Sequence, residues 1–235
     1  MSKKTPGRLN PPPDQEAFNQ LPVGWWCRTI EGLYYRLHSR DAATGRPWPA
    51  IHFSRKGRTR FDPAEGVGTL YLAETLGGAL METFDDRWGP VGSLGRSLTE
   101  QELREWWVTL IHVPRSEVLE ASGPNLSKLG TDVQLLTGDH ETARQWALRL
   151  MGHPRQIGGI FYRSRHDDNR CNVALFRRPD WLEAIQEANL IPAEAKHWRR
   201  KSDHGRRLVY GPPVLLWDHP ELAGVLSELE VAILP

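Results

Sequence analysis

Short runs of alternating apolar and polar positions recur along the chain, separated by stretches where apolar residues return every third or fourth position. Leu33-Tyr34-Tyr35-Arg36-Leu37-His38 combines aromatic and branched side chains in strand-like alternation. A Gly- and Pro-containing loop follows from Arg40 to Pro49, and Thr69 to Ala73 predicts a second strand. Leu76, Ala79, Leu80, Thr83 and Phe84 then share one helical face, with Glu82 on its flank. Gly77 and Gly78 weaken the start of that helix by about 1 kcal/mol each relative to Ala, which fits a close approach to the backbone there. Thr99-Glu100-Gln101-Glu102 is a capping box. Trp107 to Val113 predicts a central strand and Val118 to Ala121 an edge strand. Asp139 caps a helix striped with Ala143, Trp146, Ala147, Leu150 and Met151. Gly158 to Tyr162 and Asn172 to Phe176 predict two strands joined by a polar turn from Arg163 to Asn169, and Pro179-Asp180-Trp181 opens a further helix. Strands and helices mixed without regular alternation predict an α+β fold of mixed sheets with flanking helices.

Composition narrows this picture. The 235 residues suit one large domain, read as a single unit over 21–235 behind a disordered, proline-rich tail at 1–20. Thirty basic against 29 acidic side chains leave a net charge of +1, so no global field points to nucleic acid or an anionic membrane. No apolar run is long enough to span a bilayer, and no signal peptide is present. Cys27 and Cys171 lie far apart without metal-ligand spacing, the usage of a reduced, cytoplasmic protein. Of the ten tryptophans, Trp25, Trp26, Trp106, Trp107 and Trp146 are expected in the core or at its rim. Neither a GxGxxG nor a GxxxxGK[ST] phosphate loop occurs.

Candidate chemistry gathers in a few residues. Arg36 lies inside an otherwise apolar strand, where a guanidinium needs either an internal carboxylate or an anionic ligand. Arg60 sits in a basic loop beside Phe61 and Pro63. Tyr71, Glu82 and Ser164 each have an ordinary reading taken alone: core tyrosine, helix-flank partner of Arg87, turn serine. The ordered series does not. Tyr35-Arg36, Arg60-Phe61-Asp62-Pro63, Leu70-Tyr71-Leu72-Ala73-Glu74, Ala79-Leu80-Met81-Glu82, and Tyr162-Arg163-Ser164 followed by Asn172-Val173-Ala174-Leu175-Phe176 resemble the RES domain over about residues 33–178. The family's Arg, Glu and Ser correspond to Arg36, Glu82 and Ser164. Its usual Gly-Gly-Arg-Phe/Trp-Asn-Pro block reads Arg58-Thr59-Arg60-Phe61-Asp62-Pro63 here.

The resemblance implies an ADP-ribosyltransferase-like fold and a bacterial toxin that consumes NAD+ as substrate, with no permanently bound cofactor and no metal. It also implies an Xre-type antitoxin partner. Arg36 and Arg60 would grip phosphate oxygens, Tyr71 would meet the nicotinamide end, and Ser164 would donate to a phosphate or ribose oxygen. Glu82 would face the cationic ribose of an oxocarbenium-like transition state. Water, inorganic phosphate or a protein side chain could accept the ADP-ribosyl group, so a glycohydrolase, a phosphorylase and a protein ADP-ribosyltransferase share this reading. A different class also stays open: Lys196, Arg199, Arg200, Lys201, Arg206 and Arg207 around Trp198 could form a nucleic-acid-binding module.

Overall fold

The structure, a computed structural model, describes residues 9–41, 43–84, 95–164, 167, 169–199 and 204–235. In chain order the elements begin with α1 (Gln15–Asn19), β1 (Cys27–Ser39), β2 (Thr69–Ala73), α2 (Leu76–Phe84), β3 (Arg96–Thr99) and α3 (Glu100–Leu103). Then come β4 (Trp106–Ala121), α4 (Pro124–Leu129), α5 (Gln134–Thr137), α6 (His140–Met151), β5 (Gly159–Arg163) and β6 (Cys171–Phe176). The chain closes with β7 (Ile185–Gln186), β8 (Val209–Tyr210), β9 (Val214–Leu215), α7 (Leu222–Glu228) and β10 (Val231–Leu234). The fold is α+β with a large mixed sheet and flanking helices, as the pattern predicts.

Five strands pair in a closed circuit, β1-β2-β6-β5-β4 and back to β1. β4 is its spine. It pairs antiparallel with β1 along almost its whole length and parallel with β5 at Leu119–Ala121. The joint between β1 and β2 is the loosest, with Tyr35 opposite Ala73 as its one register pair. Side chains alternate across the strands. One face of the circuit carries Ile30, Tyr34, Leu70, Leu72, Ile111, Val113, Phe161 and Val173. The other is covered in two halves: α6 and the N-terminal segment pack on Phe61, Ile160 and Phe176, and α2 and α7 pack on Tyr35, Leu37 and Val108.

Several elements form for the reasons their sequence suggests. The Thr99 hydroxyl accepts from the Glu102 amide while the Glu102 carboxylate accepts from the Thr99 amide, a complete capping box. Asp139 accepts from the Glu141 and Thr142 amides, and α6 buries Ala143, Trp146, Ala147 and Leu150.

The structure also departs from the sequence reading. Residues 9–20 are not a loose tail. Asp14 caps α1, Leu9 and Phe18 are buried in the core, and the Trp146 indole donates to the Asn10 carbonyl. Val118–Ala121 is no separate edge strand but the end of β4. The strand passes Pro114 because the β1–β4 register shifts opposite it, between Ile30 and Gly32, and an irregularity of this kind accommodates a residue without an N–H. No helix follows Pro179. Asp180 instead binds the Arg178 and Arg206 guanidiniums, at 2.9 and 3.0 Å. Trp25 is 87% exposed, while Trp26 and Trp146 are buried. No helix among the described residues is long and apolar enough to cross a membrane.

Candidate active site

The loose β1–β2 joint opens a narrow cleft of about 70 Å³, lined by Tyr35, Leu37, Tyr71, Tyr162, Asn172 and Glu82 among others. Strand alternation brings Tyr35 and Leu37 from β1 and Tyr71 from β2 to it. Helix α2 runs along its rim. Leu76, Ala79, Leu80, Met81 and Phe84 are buried there, and Glu82, one step off that stripe, is exposed. Its Oε1 accepts two hydrogen bonds, from Ser164 Oγ at 2.9 Å and from Asn172 Nδ2 at 3.0 Å. Both donors are about 1% exposed.

The turn and strand that carry these donors are locked by Arg170. Its guanidinium holds Asp167 at 2.9 Å and Glu228 at 2.6 Å, and reaches Thr75 Oγ1 at 3.4 Å. It lies so close to Gly77 that an added Cβ would clash with Nη1. The close approach anticipated at the glycine pair is therefore this internal guanidinium.

The Tyr71 ring walls the cleft, but its hydroxyl is engaged. It accepts the Phe61 amide at 2.6 Å, and burial pushes the phenol well above its ordinary pKa. Tyr71 thus fixes the loop carrying Arg60, whose Nη1 donates to the Gly138 carbonyl at 2.7 Å. In the same loop Thr69 donates to the Phe61 carbonyl at 2.5 Å, and Ser54 donates to buried Asp62 at 2.8 Å.

Arg36 is not in the cleft with Glu82. It projects from the opposite side of β1 into an adjoining recess of about 260 Å³, shared with His38, Trp48, His52, Ser54 and Lys56; Leu37 lines both spaces. Arg36 Nη1 donates to the Ala50 carbonyl at 2.6 Å and the His52 carbonyl at 3.4 Å. Among the described residues no carboxylate pairs with it, so the internal ion pair, the ordinary reading of a strand arginine, is absent. Burial lowers its pKa to about 10. Burial and the nearby Arg36 charge together lower His38 to about 4, which leaves His38 neutral and Arg36 a half-buried, uncompensated cation. Beyond Ser164, on the other side of the Glu82 cleft, lies a recess of about 510 Å³ between α4, α5 and Arg163.

The sequence reading therefore finds Glu82, Tyr71 and Ser164 together, Arg60 behind Tyr71, and Arg36 next door. It assigns no role to Asn172, although a buried asparagine in a strand of apolar neighbours is a detectable signal. The expected Glu82–Arg87 pair lies outside the described residues. So do Arg200 and Lys201 of the C-terminal basic cluster. Trp198 in that cluster stacks on His204 with rings 7° apart and contacts His112 at a tilt, so it is engaged by protein, and Arg206 is paired with Asp180.

Comparison with known proteins gives one family match: the model of the RES domain aligns with residues 33–203. No curated protein matches. Among solved structures, a chain from the M. tuberculosis MbcT–MbcA toxin–antitoxin complex aligns at 14% identity with a TM-score of 0.46, over 65% of this chain and 80% of that chain.

Proposed function

The chain belongs to the RES domain family, and from that premise we propose that it is a toxin-like enzyme that cleaves the nicotinamide–ribose bond of NAD+ and arrests growth by depleting it. The observation that carries the proposal is the Glu82 carboxylate, fixed through Oε1 by two buried donors at the mouth of an aromatic cleft.

In this reading the nicotinamide riboside end of NAD+ sits at the mouth of the cleft by the Tyr35, Tyr71 and Tyr162 rings, and the cleft, about 70 Å³ as it stands, widens to admit it. The bond between ribose C1′ and the ring nitrogen breaks, its electron pair stays on nitrogen, and nicotinamide leaves neutral without needing a general acid. Positive charge passes to the ribose. An ionised carboxylate beside it stabilises that charge more in the transition state than in the ground state. A water or phosphate oxygen then bonds to C1′; with water, a proton is released to solvent. The uncompensated Arg36 suits the diphosphate, because a guanidinium offers a planar fork of donors and only one of its nitrogens is engaged among the described residues. Leu37 lines both spaces, and in this reading the dinucleotide passes around β1 there, from the ribose end to the phosphate end. An antitoxin of Xre type that covers the cleft would be the partner.

Purified protein incubated with NAD+ is expected to release nicotinamide, and varying inorganic phosphate identifies the acceptor by whether ADP-ribose or its phosphorylated form accumulates. Labelled protein bands from a lysate would move the reading to a protein ADP-ribosyltransferase. Folded protein that releases no nicotinamide at any phosphate concentration removes the enzyme. Arg36→Ala is expected to weaken NAD+ binding by about 1.5–3 kcal/mol, the size of a charge-assisted contact, measured calorimetrically. An unchanged Kd with a lowered Tm would make Arg36 structural only.

A further inference from the structure

We infer that Asn172 is a positioning residue that selects which oxygen of Glu82 acts, an inference that rests on the enzymatic reading above.

Asn172 occupies the first turn-facing end of β6, between the strands that wall the cleft: its register partners are Ala73 on β2 and Tyr162 on β5. An ionised carboxylate only accepts hydrogen bonds, so the Asn172 nitrogen must face Glu82 and its carbonyl must face away. That carbonyl oxygen is buried with no hydrogen-bond partner among the described residues, and it points at the first turn of α2, 3.4 Å from where a Cβ on Gly78 would stand. A residue selected for packing alone would be apolar here, as Val173, Ala174, Leu175 and Phe176 are. The site keeps an unsatisfied carbonyl in order to keep the N–H donor.

The geometry of donation explains what is gained. Ser164 and Asn172 both address Oε1, and no hydrogen bond reaches Oε2 among the described residues. With Oε1 held by two donors, the carboxylate is fixed in rotation and Oε2 is the oxygen left to meet a ligand. Ser164 thus acts through Glu82 as well, rather than as the direct ligand of a phosphate or ribose oxygen that the sequence suggests. Loss of Asn172 leaves Glu82 charged and in place but free to swing about one remaining bond. Misplacement of a catalytic group by about 1 Å costs on the order of 100-fold in rate.

The test uses Asn172→Leu, which keeps the shape and removes both the donor and the unsatisfied carbonyl, and Asn172→Ala as a second variant. Asn172→Leu is expected to lower kcat for nicotinamide release by on the order of 100-fold, with KM within about threefold and a fall in Tm of no more than a few degrees, since Glu82 is exposed to water and the lost hydrogen bond is offset by removal of the unsatisfied buried carbonyl. In a Glu82→Gln background the same substitution is expected to have far less effect, because the group it positions has lost its charge. Full additivity with Glu82→Gln, or wild-type kcat in both Asn172 variants, overturns the positioning role while leaving the enzyme intact. A wild-type protein that releases no nicotinamide overturns the enzymatic reading itself and this role with it. A kcat loss that only parallels a fall in Tm reduces Asn172 to a packing residue.

Discussion

Glu82→Gln is expected to cut the maximal rate of nicotinamide release by on the order of a hundred- to a thousandfold, about 3–4 kcal/mol of transition-state stabilisation. The substitution is close to isosteric. A glutamine carbonyl can still accept from Ser164 and Asn172, which now hold Oε1 at 2.9 and 3.0 Å, so position and hydrogen bonding survive and the negative charge does not. Because Glu82 lies at the exposed end of its stripe, the fold is expected to be unaffected, and Tm serves as the control. NAD+ affinity is expected to change far less than the rate, since ground-state positive charge resides on the nicotinamide ring and moves to the ribose only as the bond breaks. Turnover by Glu82→Gln at the wild-type rate would end the catalytic assignment of this carboxylate.

The largest stability loss is expected from Phe61→Ala. Phe61 is fully buried, packs edge-on against Tyr162 with ring centroids 5.6 Å apart, and belongs to the cluster that includes Trp146 and Phe176. Deleting a ring of this size removes about 3–5 kcal/mol. At about 2–4 °C per kcal/mol for a domain of this length, Tm should fall by roughly 6–20 °C. The effect reaches the site as well, because the Phe61 amide donates to the Tyr71 hydroxyl. An alanine at this position keeps the amide that donates to Tyr71, so Tyr71 is disturbed only as far as the loop shifts once the ring no longer anchors it. Differential scanning calorimetry on Phe61→Ala and the milder Phe61→Leu separates the two consequences. A shift below about 3 °C for the alanine variant would contradict the packing described here.

What the sequence makes legible follows from how local each signal is. The α2 and α6 stripes, the capping box at Thr99 and the β5–β6 hairpin are all written in neighbouring residues, and the structure contains them. Leu9 and Phe18 are single anchors in a polar, proline-rich stretch, so no periodicity reveals that residues 9–20 pack on the core. Pro179-Asp180 reads as a helix start, yet Arg178, two residues before it, and Arg206, far along the chain, claim Asp180, and a single chain of letters does not show which partner wins. The same holds at the site. Glu82 is readable from its place beside an apolar face. That no carboxylate among the described residues pairs with Arg36, that Ser164 addresses Glu82, and that Asn172 joins it all depend on contacts between elements more than 80 residues apart or on the absence of one, as the 82- and 90-residue separations of the two Glu82 bonds illustrate.

The closed circuit of strands has a consequence for the newly made chain. Arg36 faces Thr109 in the β1–β4 pairing, so the N-terminal strand waits for a partner many residues downstream, and the circuit is complete only once Asn172 on β6 has been made. At about 5–20 residues per second of synthesis, that interval lasts on the order of ten seconds or more. Pairings so distant along the chain are also slow to form once available. Until β4 has been made, β1 is an aromatic-rich strand without the partner it pairs with along most of its length, exposed to other chains. Glu82 also lacks both of its donors, so the ribosome-bound chain carries the carboxylate proposed to act on NAD+ without the contacts that fix it. Activity would appear in one late step, after most of the polypeptide has emerged.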